Sequence, residues 1–413
     1  MTTRIAALVF IFACTSVAWL ILGKTILSRT YHTDPGLKEK VESSWGSPQK
    51  QQPPTATYSY PVTYKKMTTV DGKSVEQMAE QYQQARLPVE TSRIDVSIDL
   101  AHRQKGLLWY RTYGIGFSGT YQFRNNTERD QTLNFAWRFP AEKAIYDNLT
   151  LSLNGLPVAF QSEKSLVTVS SRLAKGEVAV LAVSYHSQGL DTWQYDFGPD
   201  VAQVRDFSLR MITNFHDVDF PDNSLSPVEK QPKGNGWELT WRYQNLVSGY
   251  NIALVMPAKL QPGPLAGQIS YFAPVSLFFF FFVLFIITTL RRMDLHPMNY
   301  FFLAAAFFAF HLLLAYLVDH ISIHLAFLIC SIVSVGLVVS YLRLVVGFRF
   351  AAREAGIAQL IYLVLFSYAF FFKGFTGLSV TIGAILTLFV VMQATGRLNW
   401  RQQFARPATA PTL

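Results

Sequence analysis

Four groups of residues in this chain have types and spacings that could do chemistry. His216, Asp217, Asp219 and Asp222 crowd into one short stretch, and oxygen ligands so placed could hold Ca²⁺. The glycine and the distal glutamate of an EF-hand loop are missing, so the competing expectation is a solvated turn whose aspartates bond to their own backbone. Asp319, His320 and His324 follow an apolar run; histidines at i and i+4 share a helix face and, with the carboxylate, could bind a transition metal or respond to external pH. The plainer expectation is that these polar residues end membrane spans at the headgroup level. His311 and Gln359 lie deeper in apolar sequence, where a polar group is a functional candidate or a hydrogen-bonding partner between helices. Gly114, Gly116 and Gly119 match a dinucleotide fingerprint by spacing, but they lead into the alternating segment GTYQFRN rather than a helix, which suits a bulge or a close strand crossing. Ser118 has Thr120 where a nucleophile elbow needs its second glycine. No catalytic, cofactor or metal residue is assigned from these patterns.

The elements that must carry these residues divide sharply. Residues 273–290 (APVSLFFFFFVLFIITTL) hold no charge, would rise about 27 Å as a helix, and are followed at once by Arg291 and Arg292. Basic residues against the end of a span prefer the cytoplasmic side, so residues before 273 are expected outside. Further apolar runs at 300–318, 324–341, 357–372 and 378–392 are divided by turns. The turns holding Arg343, Arg349 and Arg353 and the tail with Arg397, Arg401 and Arg406 fall inside, while 319–322 and 373–377 fall outside. Helices are expected, because an open sheet would leave backbone groups unpaired in lipid. Residues 5–22 form another charge-free run after Arg4 and read as an uncleaved anchor rather than a signal peptide or a lipoprotein signal ending at Cys14. Six spans then place both termini in the cytoplasm.

The chain has 413 residues, half of them hydrophobic, and a net charge of +9. Residues 1–23 and 273–413 together carry 10 Lys/Arg against 3 Asp/Glu, while 24–272 carries 26 against 24. The basic excess therefore belongs with the spans, where it sets orientation, and a nucleic-acid partner is not expected. Both cysteines, Cys14 and Cys330, lie in apolar runs, so the outer domain must stand on its own core without disulfides. Small residues four apart at Ala305 and Ala309, Gly336 and Ser340, and Gly383 and Thr387 offer close helix contacts.

Within the outer segment, residues 37–44 suit a short helix, 47–54 a Pro- and Gln-rich linker or extended arm, and 75–85 (VEQMAEQYQQA) a short exposed helix. Beyond Leu87 the texture becomes short, alternating and rich in Val, Leu, Thr and aromatics, at 93–100, 121–124, 131–138, 149–153, 166–170, 177–185, 207–213, 237–242 and 250–255. Turn pairs such as Asn154-Gly155 and Lys175-Gly176 separate these runs. Such spacing predicts an antiparallel sandwich, single or two in tandem. The expected organisation is an anchor at 1–23, a β-rich domain at 24–272, a five-helix bundle at 273–396 and a cytoplasmic tail at 397–413.

The stretches 41–46 (VESSWG) with Gln49; Leu87-Pro88; Arg103, Lys105, Gly106, Leu107 and Tyr113; Phe117-Ser118-Gly119 with Tyr121 and Phe123; Leu295-His296-Pro297-Met298-Asn299-Tyr300; Asp319-His320; and Arg397-Leu398-Asn399-Trp400 occur in this order along the chain. Together they resemble the CreD-type inner-membrane protein family of Gram-negative bacteria. The chain departs from the family in the Pro- and Gly-rich junction 256–268, in His311, and in the absence of acidic residues at 373–377. The resemblance implies one anchor, a large periplasmic domain and a bundle of five helices in the inner membrane, with a role in envelope integrity or stress response.

Three classes of function follow. The first is a non-enzymatic envelope protein whose periplasmic domain binds or senses a periplasmic or inner-membrane partner, while the bilayer holds its helices. The second is a transporter or channel component, which needs ionisable groups or broken helices near the midplane; here only His311 and Gln359 qualify. The third is a membrane-tethered enzyme, for which no acid, base and nucleophile converge in the sequence.

Overall fold

The computed structural model describes residues 2–396 apart from 71–72, 107, 164, 199–202 and 373, so Lys373 and the 397–413 tail with its arginines lie outside the described residues. The chain divides into two compact units: residues 1–35, 106–108 and 260–413 form one, and residues 36–105 and 109–259 the other.

The first unit is helical. Among the described residues six helices are long and apolar enough to cross a membrane: α1 (Thr2–Ser44, its apolar part in this unit), α2 (Pro262–Leu290), α3 (Pro297–Leu317), α4 (Ile323–Val346), α5 (Phe348–Phe371) and α6 (Thr376–Thr395). The five after the first run 20 to 29 residues, so each reaches about the 30 Å thickness of a bilayer core. α2 begins well before residue 273, because Pro262 supplies a first-turn residue whose missing N–H costs nothing there. α5 begins at Phe348 rather than 357, which sets Arg349 and Arg353 on its first turns. Outward-facing side chains such as Phe10, Ile21, Leu344, Leu386 and Phe389 are all more than half exposed, an apolar exterior that lipid, not water, would solvate.

The HPMNY stretch shows why its residues belong together. His296 caps α3 by accepting the Met298 N–H at 3.2 Å, and Pro297 opens the first turn. Asn299 accepts a hydrogen bond from the Tyr341 hydroxyl at 2.7 Å, tying α3 to α4, while the fully buried Tyr300 packs edge-on against Phe281 of α2. These residues therefore hold three helices together.

The second unit is built of sheets. An eight-stranded sheet runs Leu156–Pro157, Tyr146–Leu153, Val178–Leu190, Thr112–Arg124, Thr91–Leu100, Val204–Thr213, Gly236–Leu246, Glu229–Lys233. A five-stranded sheet runs Gln161–Glu163, Leu166–Leu173, Gln131–Arg138, Thr55–Val70, Lys73–Leu87, and a three-stranded one joins Gln49–Gln51, Thr192–Tyr195 and Ile252–Val255. Neighbours are antiparallel except two: Thr91–Leu100 beside Val204–Thr213, and Gln49–Gln51 beside Thr192–Tyr195, are parallel. Strict alternation drives the layering; Ile94, Val96 and Ile98 are buried while Arg93, Asp95 and Ser97 are exposed. Inward aromatics from the larger sheets meet in one core, with Phe123 against Phe135 at 5.4 Å and Trp137 against Tyr185 at 5.6 Å. There is one core here, not two in tandem.

Three local expectations need correction. Residues 75–85 are not helical: they lie in a strand that pairs residue for residue from Ala56↔Leu87 to Val70↔Lys73. Gln, Glu, Met and Ala favour helix intrinsically, but a Thr-, Tyr- and Val-rich partner one turn away overrides that preference. Residues 37–44 continue α1 rather than forming a separate helix. Residues 47–54 are not a free arm, since Gln49 and Gln51 are buried as a strand. Gly46 makes that entry possible: its φ is +141°, and a Cβ there would lie 2.2 Å from the Gln188 carbonyl oxygen.

Candidate functional site

The acidic loop keeps its histidine and aspartates apart in function. His216, Asp217, Asp219 and Asp222 are all exposed, and among the described residues no three His, Cys, Asp or Glu side chains group closely enough to hold a metal. Its order comes from elsewhere: the Trp237 indole donates to the His216 carbonyl at 2.8 Å, and the Val255 N–H donates to the Asp219 carbonyl. The expected aspartate-to-own-backbone bonds are absent among the described residues. The glycine series lies mid-strand between two partners, and a Cβ at Gly116 would meet Ser97 Oγ at 2.6 Å with the His186 ring behind it. Gly116 is therefore small to admit cross-strand side chains, and Ser118 sits opposite Asp95 and Ser184 in the same sheet with no hydrogen bond from its hydroxyl among the described residues.

Asp319, His320 and His324 are also divided. Arg29 of α1 donates to both Asp319 oxygens at 3.1 Å, His324 packs on Phe371 at 5.1 Å, and His320 is exposed. Asp319 thus has a structural partner, which the sequence did not reveal because 290 residues separate the two. Of the small-residue pairs, Gly383 and Thr387 pack closely: a Cβ at Gly383 would meet the Phe366 ring at 2.6 Å, and Thr387 bonds the Tyr362 hydroxyl at 2.8 Å. Gly336 and Ala305 are exposed.

His311 and Gln359 are fully buried. The Gln359 amide donates to Ser334 Oγ at 2.7 Å, and Ser334 donates onward to the Ala306 carbonyl at 2.8 Å, linking α5, α4 and α3. His311 shares 3.1 Å with the Phe307 carbonyl through Nδ1, which fixes Nε2 as the free lone pair, and Trp19 sets its ring edge-on at 5.7 Å. α5 carries widened i→i+5 turns at Ala351–Ala355 and Leu360–Leu365 on either side of Gln359, irregularities that often mark functional positions.

The β-rich unit holds a cleft of about 640 Å³, a volume suited to a drug-sized molecule. Strand ends from the sheets line it: Thr55, Leu87, Arg138 and Leu166 from the five-stranded sheet, Ser92 and Val204 from the eight-stranded one. The chain crosses between these sheets at Leu87-Pro88, and Pro53, Pro54 and Pro88 stiffen the rim. Its floor is an aromatic cluster, Tyr195, Phe197 and Phe207, with ring centroids 5.1 to 5.6 Å apart. Burial raises the Tyr195 phenol well above its ordinary value, so the floor is neutral at any physiological pH.

The electrostatics of the cleft are one-sided. Arg86, Arg138 and Arg205 line it, and among the described residues no carboxylate does. Asp196, between the floor residues Tyr195 and Phe197 in sequence, is already occupied. Burial alone would raise its carboxyl, but bonds from Lys50 at 2.6 Å, the Gly198 N–H at 3.0 Å and Gln52 at 2.9 Å outweigh burial and hold it below the usual range. A second opening of about 320 Å³ on the eight-stranded sheet is the opposite case. There Arg93 pairs with Asp206, Arg210 with Asp95 and Arg242 with Glu229, so the charges cancel. The sequence gives little warning of the cleft. Leu87-Pro88 and the Pro53-Pro54 approach are visible as motif pieces, but the arginines sit at the ends of strands far apart in sequence and look like ordinary solvent-facing residues.

The family model described as inner membrane protein CreD matches residues 266–401, so the resemblance noted in the sequence holds over the helices that follow the first, and membrane character with it. No curated protein matches the chain. Among solved structures, a protein named for nutrient binding from Legionella pneumophila is 10% identical, with 47% of this chain and 74% of that chain covered at a TM-score of 0.32. An M1 zinc metallopeptidase from Deinococcus radiodurans is 12% identical, with 41% of this chain and 42% of that chain covered at a TM-score of 0.28. Likenesses this weak carry no argument about activity.

Proposed function

We propose that this chain is a non-enzymatic inner-membrane protein of the cell envelope. Six spans anchor it with both termini in the cytoplasm, and the β-rich segment 24–272 faces the periplasm, where its cleft binds a component of the envelope and so serves envelope integrity or the response to stress. The observation that carries this reading is the cleft itself: an apolar-floored cavity of about 640 Å³ with three arginines and, among the described residues, no carboxylate in its lining. The concentration of Lys/Arg excess near the spans supports the orientation. The reading is tested in cells lacking the native protein by supplying the full chain with Val89→Trp, which fills the cleft from its wall. The expected result is normal membrane abundance with no restored resistance to detergent and bulky apolar antibiotics. Restoration equal to the unchanged chain would overturn it.

A transport role is the second reading, favoured by one observation: His311 Nε2, Ser276 Oγ and Gln359 Oε1 are buried in the helical unit without hydrogen-bond partners among the described residues. Uptake by reconstituted protein that His311→Ala abolishes would support it; no uptake by the unchanged chain would remove it.

A further inference from the structure

We propose that the cleft takes an anionic amphiphile, a single hydrocarbon chain ending in a carboxylate or phosphate, with the head at Arg138 and Arg205 and the chain over the aromatic floor. This rests on the cleft-binding reading above and adds the chemistry of the occupant.

The head group follows from the unpaired cations. A guanidinium cannot shed its charge, and its planar fork matches a carboxylate or phosphate with two parallel hydrogen bonds. Five other arginines of this unit meet that demand internally: Arg93, Arg210, Arg242, Arg124 and Arg111 pair with Asp206, Asp95, Glu229, Glu90 and Asp191. Arg138 and Arg205 have no such partner among the described residues, and both line the one cleft. Asp196 cannot serve them, because Lys50, Gln52 and the Gly198 amide already hold it.

The tail follows from the walls. Leu87, Val89, Leu166, Phe197, Val204 and Phe207 supply apolar surface. A sugar would leave most of its hydroxyls facing these side chains, where each unbonded group is costly. An extended peptide would need backbone donors along its path, and the rim at Pro53, Pro54 and Pro88 has none to give. A methylene chain has no such needs and gains with each group that leaves water. Carboxylate and phosphate heads share the recognition chemistry, so the experiment must separate them.

The test uses the full chain in phosphatidylcholine nanodiscs and a dansyl-labelled undecanoate, with empty nanodiscs as the background. The expected result is saturable, blue-shifted fluorescence that R138Q/R205Q weakens at least about tenfold, a loss in keeping with charge-assisted hydrogen bonds. Arg205→Lys, which keeps the charge but loses the fork, falls between. The matching dansyl-labelled alcohol binds the unchanged chain more weakly and is indifferent to R138Q/R205Q. Laurate and dodecyl phosphate are then compared as competitors, and the one displacing the probe at lower concentration names the head. Equal affinity for acid and alcohol, or unaltered acid binding by an R138Q/R205Q protein with an unchanged unfolding transition, overturns the proposal. If the probe does not bind yet Val89→Trp still abolishes protection in cells, the cleft-binding reading survives and the amphiphile falls. If Val89→Trp leaves both probe binding and protection intact, both fall.

Discussion

Replacing Gln51 by Leu tests how the rim of the cleft is held. Gln51 is fully buried; its Oε1 accepts the Tyr185 hydroxyl at 2.8 Å and its amide donates to the Gln52 carbonyl at 2.5 Å. Its backbone carbonyl also accepts the Asp196 N–H at 2.8 Å, so the residue joins the rim segment to the strand Thr192–Tyr195. Leu fills similar space but strands the Tyr185 hydroxyl in the core, which costs about 1–3 kcal/mol, and it removes a second bond worth about 1 kcal/mol. Apolar burial recovers part of this, leaving a net loss of about 2–3 kcal/mol. For a unit of this size that is a fall of about 4–12 °C in unfolding midpoint. Tyr185→Phe alone leaves Gln51 Oε1 unpaired and costs about 1–2 kcal/mol, whereas Q51L/Y185F leaves no orphan at this pair. The double variant should therefore be more stable than the sum of the single losses predicts, by about 1–2 kcal/mol. The assay is thermal or urea unfolding of the full chain in nanodiscs, followed by near-ultraviolet circular dichroism of the buried aromatics. A Gln51→Leu loss within about 0.5 kcal/mol of zero, or strict additivity in the double variant, would refute the reasoning.

Other outcomes follow from the same geometry. The depressed Asp196 carboxyl contributes stability that is present above its unfolded value near 3.8 and lost as pH falls through its lower folded value. Unfolding midpoints of the β-rich unit should thus decline below roughly pH 4, and Asp196→Asn should flatten that decline while lowering stability at neutral pH. Gly46→Ala should cost about 2–4 kcal/mol, since the new methyl would meet the Gln188 carbonyl oxygen at 2.2 Å on a backbone unsuited to L side chains; wild-type stability would contradict the entry geometry. Gln359→Leu should change helical-unit stability by less than about 1 kcal/mol or raise it, because Ser334 keeps its bond to Ala306 and an unpartnered amide oxygen disappears. Unfolding in mixed detergent micelles reads this directly. Arg29→Ala should cost only about 0–1 kcal/mol, as the Arg29–Asp319 pair is 43% and 26% exposed.

Much of this architecture is legible in residue order because it depends on period. Each alternating run past Leu87 overlaps a strand, though 177–185 and 250–255 start before theirs, since a half-buried sheet demands apolar residues at every second position, and each uncharged run of span length overlaps a helix, with 318 and 372 just past the ends of theirs. What escaped was decided by partners distant in sequence. The strand Lys73–Leu87 reads as helix until its pairing with Thr55–Val70 is seen. The Gln-rich segment reads as polar linker until Tyr185 and Ser187 are found waiting for Gln51 and Gln49. The anchor seemed to end where Lys24 begins the charged region, yet helix continues to Ser44, because a charge ends a span without ending a helix. The conspicuous candidates, the acidic loop and the interfacial histidines, do not converge, while the cleft draws its arginines from strand ends with no local signature.

The account depends most on which side of the membrane the β-rich unit occupies. In a chain with Cys14 and Cys330 replaced by serine, single cysteines placed at Gln203 or at Arg292 are exposed to a membrane-impermeant maleimide in cells whose outer membrane alone has been opened, and again after lysis. The expected result is labelling at 203 while the inner membrane is intact, and labelling at 292 only after lysis. Labelling at 292 before lysis, with 203 protected until lysis, would contradict it.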